Sequence, residues 1–410
     1  MLYALLAILT ALLIYGLVRG FGLRELFRMG LSGVGVAKNV FLVMLMVGVM
    51  TALWRASGTV AYIVSVTSGA LQPAIFLPAA FVLNSLLSAL TGTSVGTAAT
   101  MGSICMSVGT AMGISPAVCG GAVLSGAFFG DRCSPVSTSA LLVAQVTGTN
   151  IYDNIRGMLK TCIVPFVLSL GIFSALGYLM ESAPAETDVV QIFGQFYELH
   201  WILLVPAATI LILAILRVDI KLNMAVSILI SAVLVWKLQG MAPEKICETM
   251  VFGYSAPEEI SRMLSGGGLL GMVKMCGTIL VSLTFVGLIK GTGLMEKVKA
   301  LISRMSHRVS PFGCVLFTAI LTVMTSCNQT MSIVLTNEMC ESVVPDKNKR
   351  ALLMENSSVV VAGIIPWSMA SLVPLGAMGA PTLSVIFAAY LFLLPLMQWV
   401  SEKKTRLRNG

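Results

Sequence analysis

Long apolar runs separated by short polar segments dominate this chain, and their lengths predict an all-α membrane protein. Leu2–Val18 contains no charged residue, and apolar runs of similar length recur as far as the last segment before Glu402. A run of about 20 apolar residues is long enough to cross a bilayer as a helix. With short loops between the runs, the pattern predicts about 10–12 spans and half-spans.

The polar segments between these runs carry topology signals. Arg19–Lys38 mixes basic and apolar residues and predicts a short amphipathic helix at the cytoplasmic face, whereas Trp54-Arg55 predicts an interfacial anchor. Thr149–Lys160 reads as a charged loop. The basic residues of Lys290–Arg308 and of the C-terminal tail predict that both segments are cytoplasmic.

The apolar pattern breaks between Gly92 and Ala140, where small and hydroxylated residues surround two charges. No Asp, Glu, Lys or Arg occurs from Ala56 to Gly130, and Asp131 and Arg132 then follow. A charge at bilayer depth costs roughly 2.5–3.5 kcal/mol, so such a carboxylate is expected to have a partner or a bound ion. We predict a broken helix lining an ion or substrate site. The alternative, a packing seam of small residues, leaves the charged pair unexplained.

The candidate site residues come from both halves of the chain. The first half supplies the carboxylate and its polar neighbours: Asp131, Thr93, Ser94, Thr97, Arg132, Ser134 and Ser137. The second half supplies Asn328 and Gln329 in the run T-S-C-N-Q-T, and Glu355 ahead of I-P-W. Glu355 lies close after Arg350, so a solvated helix start is an equal alternative for it.

The two halves share a pattern that predicts an internal repeat. Each contains a charge-free break that opens with Thr-Ser, followed by a carboxylate near hydroxyls and a proline. Paired broken segments indicate a transporter site near the membrane midplane. We therefore predict a first transmembrane repeat over residues 1–185, an external connector over 186–200 and a second repeat over 201–410, with inverted topology.

Composition excludes several classes of protein. Only 11% of the 410 residues are charged and 57% are hydrophobic, whereas soluble domains are about 25% charged. The net charge of +8 is distributed over short loops and the tail, so it is a topology signal and not a nucleic-acid footprint. With two histidines and nine scattered cysteines, no metal site and no cofactor is predicted.

An enzymatic interpretation has little support. Gly92–Gly96 matches the G-x-S-x-G pattern of a nucleophilic serine. That chemistry needs a base histidine and a strand-to-helix turn, and neither histidine lies in a polar intramembrane segment. We therefore do not predict an enzyme, although an intramembrane enzyme acting through Ser94 remains an alternative hypothesis.

In combination, several motifs of the sequence resemble those of the NhaC family of Na+/H+ antiporters. They are Trp54–Gly58, Gly92-Thr93-Ser94, Gly126–Asp131 with Ser134-Pro135, Glu355 ahead of Ile365-Pro366-Trp367, and Leu375-Gly376. The resemblance implies an inverted-repeat transporter of the bacterial inner (cytoplasmic) membrane that exchanges Na+ and H+. It also implies that some relatives exchange organic acids such as malate and lactate, or carry amino acids. The sequence leaves a homodimer open.

One departure from the family pattern bears on the ion site. Family members commonly carry an acid after the serine of S-P-x-S, but here Ser137 is followed by Thr138. In the favoured hypothesis, Asp131 alternates between a proton and Na+, which the hydroxyls and the neutral oxygens of Asn328 and Gln329 help to hold. In the alternative hypothesis, a small organic anion or amino acid is carried and Arg132 holds its carboxylate.

Overall fold

The computed structural model describes residues 2–34, 38–68, 73–135, 137–180, 189–216, 218–260, 264–293 and 310–409. Across these ranges the chain is almost entirely helical and forms no β-strand; a single isolated bridge pairs Tyr254 with Gly266. The predicted all-α class is confirmed. The helices are numbered below in chain order.

The first half of the chain contains the following helices: α1 (Leu2–Val18), α2 (Leu23–Val34), α3 (Lys38–Ala56), α4 (Thr59–Ser68), α5 (Pro73–Thr91), α6 (Ser94–Thr97), α7 (Ser103–Ala111), α8 (Pro116–Cys133), α9 (Thr138–Thr147) and α10 (Ile151–Met180). A π-helical turn, Ala98–Gly102, joins α6 to α7.

The second half contains α11 (Val189–Phe196), α12 (Val205–Ile215), α13 (Ile220–Lys237), α14 (Pro243–Phe252), α15 (Gly268–Gly291), α16 (Pro311–Ser326), α17 (Gln329–Cys340), α18 (Lys347–Glu355), α19 (Ser358–Ile364), α20 (Met369–Met378) and α21 (Ala389–Asn409). Short 3-10 turns lie at Trp201–Leu204, Glu258–Ile260 and Thr382–Phe387.

The helices have the lengths and composition of a multi-pass membrane protein. Within the described ranges, Ala74–Thr91, α10 and α13 are long and apolar enough to cross a membrane, and α18–α19 with α20 form a fourth candidate bent by 56°. Shorter apolar helices, such as α16, accompany them. Helix α10 exposes Ile163 and Val167, as a helix facing lipid does.

The first break in the apolar pattern is the tip of a helical hairpin. Helix α5 runs out to Gly92, whose φ of +71° is suited to glycine, and α6–α7 return beside it. Asn84 Nδ2 donates to Cys105 Sγ at 3.4 Å, and a Cβ added at Gly109 would lie 2.9 Å from Phe76. The pairs 84–105 and 76–109 therefore run antiparallel.

A second hairpin is formed by α16 and α17. The Thr322 and Ser332 hydroxyls lie 2.7 Å apart, and Cys340 Sγ donates to Thr318 Oγ1 at 3.5 Å. Its tip is Cys327-Asn328, where Cys327 has a φ of +53°. The predicted break in T-S-C-N-Q-T is thus a turn between two antiparallel helices.

The discontinuous helix α8–α9 runs along both hairpins. Helix α8 packs closely on α5 through glycines: a Cβ at Gly130 would lie 2.2 Å from the nitrogen of Ala89. Helix α9 follows α17, and Asn337 Nδ2 donates to the Val146 carbonyl at 3.0 Å. The break in α8–α9 therefore lies between the two hairpin tips.

Helix α10 shows that the hairpins enter from opposite ends. Its 30 residues span about 45 Å. Met158, near the start of α10, lies level with Arg132, which donates to the Met158 carbonyl. Phe173, near the end of α10, packs against Phe81 of α5, with the two ring centroids 5.4 Å apart. Phe312 lies at the open end of the second hairpin, and its N–H donates to Glu402 in the C-terminal helix α21. We therefore call this end of the protein the tail side. The open end of the first hairpin is the far side.

Two predictions about surface segments are wrong: one segment predicted to be a loop is helical, and one residue predicted to lie at the interface is buried. Thr149–Lys160 is not a charged loop, because α10 begins at Ile151 and carries Asp153 and Arg156 as an exposed pair 3.6 Å apart. Trp54 is not an interfacial anchor: it is fully buried, and its Nε1 donates to Ser227 Oγ at 3.0 Å. Helix α13 supplies this partner, and sequence alone does not place α13 beside α3.

Other predicted segments lie partly outside the described residues. Of the connector 186–200, residues 186–188 are not described and α11 occupies most of the remainder. Of Lys290–Arg308, α15 covers the first two residues, and 294–308 lie outside the described ranges. The predicted amphipathic segment Arg19–Lys38 contains α2.

Candidate functional site

Asp131 lies in the last turn of α8 and is 3% exposed. Ser137 Oγ donates to its Oδ1 at 2.8 Å, and Ser94 Oγ donates to its Oδ2 at 3.4 Å. Ser94 comes from the tip of the first hairpin and Ser137 from the break that follows Asp131. The carboxylate therefore joins the first hairpin to the discontinuous helix.

The second hairpin also reaches this carboxylate. The Gln329 side chain lies close enough to Asp131 to act on it electrostatically, while its Nε2 donates to the Val359 carbonyl at 3.0 Å. Gln329 is the first residue of α17, directly after the hairpin tip. Both hairpin tips therefore meet at Asp131.

Helix N-termini surround the site because the broken helices restart there. Ser137 caps α9 by accepting the N–H of Ser139 at 3.2 Å, and Asn328 caps α17 by accepting the N–H of Met331 at 3.3 Å. Side-chain caps of this kind stop and restart helices. The partial positive charge of a helix N-terminus stabilises a nearby carboxylate.

Arg132 faces away from Asp131, as adjacent positions on a helix do. Its side chain is fully buried, and all three of its guanidinium nitrogens donate to protein groups. The acceptors are the Asn356 side chain, Thr161 Oγ1 at 2.9 Å, the Glu355 carbonyl at 3.2 Å, Tyr390 Oη at 3.4 Å, the Met158 carbonyl at 3.5 Å and Cys133 Sγ at 3.6 Å.

Glu355 is a second buried carboxylate near the first. It ends α18 and is 0% exposed, so a solvated helix start is wrong for it. Arg350, which suggested that alternative, is itself buried and donates to Asn337 Oδ1 at 2.9 Å. Neither carboxylate oxygen of Glu355 has a hydrogen-bond partner among the described residues, and Asp131 and Arg132 act on it electrostatically. An ionised carboxylate in that setting is costly unless a proton or cation joins it.

A cavity of about 300 Å³ leads toward Asp131 from between α9 and α17. Ser139 and Gln329, which flank Asp131, line it together with Thr138, Gln145 and Thr330. Thr138 is exposed there. We call this space the tail-side cavity, because α9 and α17 both run to the tail side.

The structure brings together some of the predicted site residues and not others. Asp131, Ser94, Ser137 and Gln329 form one cluster. The remaining polar candidates shape the backbone around it: Thr93 caps α6, Asn328 caps α17, Thr97 bonds Thr91 at 3.3 Å, and the Ser134 carbonyl accepts the N–H of Ser137 at 3.2 Å.

Sequence reasoning missed Ser139 and Asn356. Ser139 Oγ donates to the Asp131 carbonyl at 3.3 Å and lies 2.8 Å from Ser137 Oγ. Its position two residues after a helix-capping serine is the signal that points to it. Asn356 holds Arg132 across 224 positions of sequence, a pairing that no local pattern reveals.

The polar break with Asp131, Ser94 and Ser137 falls inside regions that match a known family. The sequence profile of the Na+/H+ antiporter family matches residues 1–149 and 126–399. The chain belongs to the Na+/H+ antiporter family. The resemblance inferred from the motifs is thereby confirmed, and this family consists of transporters.

Several characterised relatives of the antiporter align over most of its length. It is 26% identical over 389 residues to the malate-2H+/Na+-lactate antiporter of Bacillus subtilis, covering 91% of this chain and 82% of the relative. It is 26% identical over 398 residues to the Na+/H+ antiporter NhaC of Alkalihalophilus pseudofirmus, covering 94% and 86%. It is 25% identical over 385 residues to the arginine/ornithine antiporter ArcD of Halobacterium salinarum, covering 90% and 79%.

Proposed function

We propose that this protein exchanges Na+ for H+ at Asp131 by alternating access. The observation that carries the proposal is a buried carboxylate between the two hairpin tips: Ser94 of the first tip donates to Asp131, and Gln329 of the second tip lies within electrostatic reach of it. A carboxylate that contacts both hairpins can be uncovered from either side when one hairpin moves. The names of the family and of its NhaC relatives support Na+ and H+ as the exchanged ions.

The exchange follows from competition for one group. A protonated Asp131 is neutral and donates or accepts hydrogen bonds with Ser94 and Ser137. An ionised Asp131 offers its oxygens, with the hydroxyl lone pairs and the Gln329 amide oxygen, to a hard cation, and such cations prefer oxygen ligands. Because the proton and Na+ cannot occupy the carboxylate together, each crosses in the opposite direction to the other.

Glu355 supplies the second acid of the site in this proposal. The usual family acid is replaced by Thr138, and Glu355 is a second buried carboxylate among the described residues, one on which the charge of Asp131 acts. Its two oxygens have no partner among the described side chains and backbone groups, so they are free to take a proton or to complete a cation's shell. Arg132 fixes the backbone of Glu355 through its carbonyl.

We further propose that the two hairpins belong to inverted repeats. In each half a capped break at a hairpin tip is followed by a capped break in a discontinuous helix: Thr93 then Ser137, and Asn328 then Ser368. The first hairpin opens to the far side and the second to the tail side. This arrangement agrees with repeats over 1–185 and 201–410, and with alternating access between two such halves.

The charge distribution supports a cytoplasmic tail side in a bacterial inner membrane. Lys347 and Lys349 at the start of α18, and Arg156 and Lys160 at the start of α10, all lie toward the tail side. Loops rich in Lys and Arg remain cytoplasmic. The tail-side cavity would then be the cytoplasmic entrance to Asp131, and the far side would face outward.

The test is Na+-driven proton flux in proteoliposomes with Asp131→Asn beside wild type. Asn keeps the shape of Asp but neither titrates nor carries charge, so flux is expected to fall to the level of empty liposomes. The matched control is Asp153→Asn, an exposed carboxylate paired only with Arg156. Retention of Na+-driven flux by Asp131→Asn would rule out this carboxylate as the exchange site.

A second candidate function is exchange of a small organic acid or amino acid. The similarity to the malate/lactate and arginine/ornithine antiporters favours it. Arg132 is an unsuitable contact for a substrate carboxylate, because its nitrogens already donate to protein acceptors. Proton flux that responds to an organic acid in Na+-free buffer would distinguish this function from Na+/H+ exchange.

A further inference from the structure

A second cavity of about 300 Å³ lies toward the far side, away from the Asp131 cluster. Its walls come from α3, α7, the start of α15 and the end of α20, and they include Arg55, Ser107, Gly267 and Gly379. No Asp or Glu lines it. Helix α7, the returning limb of the first hairpin, forms one wall.

Arg55 brings a positive charge to this cavity, and no acidic side chain among the described residues pairs with it. Its Nη1 donates to the Ser265 carbonyl, and its Nε and Nη2 donate to none of the described residues. The ion pairs found among the described residues, Arg156–Asp153 and Arg350–Glu341, do not involve it. A charged side chain within a membrane protein that has no internal partner is expected to face a ligand or a water-filled path.

Ser107 adds a free hydroxyl to the same cavity. It is 7% exposed, and its Oγ makes no hydrogen bond to the part of the chain that the structure describes. The other hydroxyls of the wall are already engaged: Thr51 donates to the Val47 carbonyl at 2.9 Å and Thr110 to the Met106 carbonyl at 2.6 Å. Because Ser107 lines the cavity, its hydroxyl is available to a ligand bound there.

The start of α15 makes the cavity more positive. Its N-cap is Gly267, which has no side chain to satisfy the first N–H groups of this 24-residue helix. Glycine is required at this position, since φ is +80° and a Cβ would lie 2.6 Å from the nitrogen of Ala52. An uncapped helix N-terminus attracts anions.

We propose that this cavity binds a small organic carboxylate. Arg55 would hold the carboxylate through its free N–H groups, in the bidentate geometry that guanidinium favours. Ser107 would donate to the same carboxylate or to a second oxygen of the anion. The volume is at the lower limit of ligand sites, about 300–1,000 Å³, which suits molecules of a few carbons. The site is distinct from Asp131, so the proposal stands whether or not Na+/H+ exchange is demonstrated.

The test measures binding to purified protein in nanodiscs, with no ion gradient. L-malate, L-lactate and succinate are the probes, sulfate at matched ionic strength is the competitor, and the shift in thermal midpoint is the readout. We expect at least one carboxylate to stabilise wild type, Arg55→Gln to weaken binding by about 10- to 100-fold and Ser107→Ala by about 3- to 10-fold. Arg156→Gln, an exposed arginine outside the cavity, is the matched control.

Ser107→Ala keeps the test decisive if Arg55→Gln fails to fold, because Ser107 makes no hydrogen bond to the described protein that folding would lose. Arg55→Lys, which keeps the charge without the planar fork, is expected to bind with intermediate affinity. The proposal is overturned if no carboxylate stabilises wild type, if sulfate binds equally well, or if Ser107→Ala and Arg55→Lys both keep wild-type affinity. Because the readout is binding, a failure here is distinguishable from a failure of Na+-driven flux.

Discussion

The guanidinium of Arg132 donates to the side-chain oxygen of Asn356, and this bond connects the end of α8 to the junction between α18 and α19. Arg132 closes α8, before the break that leads to α9, and Asn356 separates α18 from α19. Asn356 in turn donates through Nδ2 to Gln398 of α21 at 2.8 Å. The arginine beside the proposed ion site is therefore part of the scaffold that positions Asp131 and Glu355.

We expect Arg132→Lys to destabilise the protein by about 3–5 kcal/mol, because lysine cannot reach several acceptors at once and leaves a buried charge poorly paired. Thermal or denaturant unfolding in detergent measures the loss. Arg156→Lys, at an exposed position, should change stability little. Unchanged stability in Arg132→Lys, together with lost response to an organic acid, would instead identify Arg132 as a substrate contact.

We expect Glu355→Gln to fold and to lose about 10-fold or more of its Na+-driven flux. Glutamine fills the same space without a charge, so the free energy of unfolding should change by less than about 1 kcal/mol. It can neither exchange a proton nor neutralise a cation. Flux and unfolding are measured on the same preparation, with Glu338→Gln, an exposed carboxylate on α17, as control. Wild-type flux in Glu355→Gln would remove this residue from the exchange.

We expect Thr138→Asp to increase the apparent affinity for Na+ from the tail side by about 2- to 5-fold, since an exposed ion pair contributes up to about 1 kcal/mol. The new carboxylate would line the tail-side cavity without a desolvation penalty, because Thr138 is exposed. The dependence of flux on Na+ concentration provides the measurement. Thr138→Asn controls for shape, and equal effects of Asp and Asn would exclude an electrostatic origin.

We expect Gly130→Ala to destabilise the protein by about 1–3 kcal/mol, because the added methyl group meets the backbone of α5 and neither helix can yield without repacking. The new Cβ would lie 2.2 Å from the Ala89 nitrogen. Gly171→Ala on α10 is the matched control: nothing lies within 4 Å of its Cβ, so it should be neutral or stabilising. Equal stability of the two variants would contradict close α5–α8 packing.

Local chemistry made much of this protein predictable. The scarcity of charge set the membrane class, and the polar runs that contain Thr93, Ser137 and Asn328 marked where the helices break. The structure adds that each of these side chains caps the helix that follows. The isolation of Asp131 in a charge-free region marked the site. Each of these signals depends on residues a few positions apart, which is the range over which capping and hydropathy act.

Only the tertiary structure decided which of these groups meet. Trp54, Arg350 and Glu355 resemble boundary residues in the sequence, yet each is buried in the structure. Trp54 donates to Ser227 of a distant helix, whereas Arg350 donates to Asn337 of the preceding helix. The tertiary packing gave Arg132 its acceptor in Asn356, placed Arg55 at a cavity, and brought Ser94 and Gln329 near one carboxylate from opposite hairpins. The sequence alone determined the class of protein, the helix breaks and the central acid. Asn356 lies 224 positions from Arg132 and Ser265 lies 210 positions from Arg55, and only the packed fold specifies such contacts.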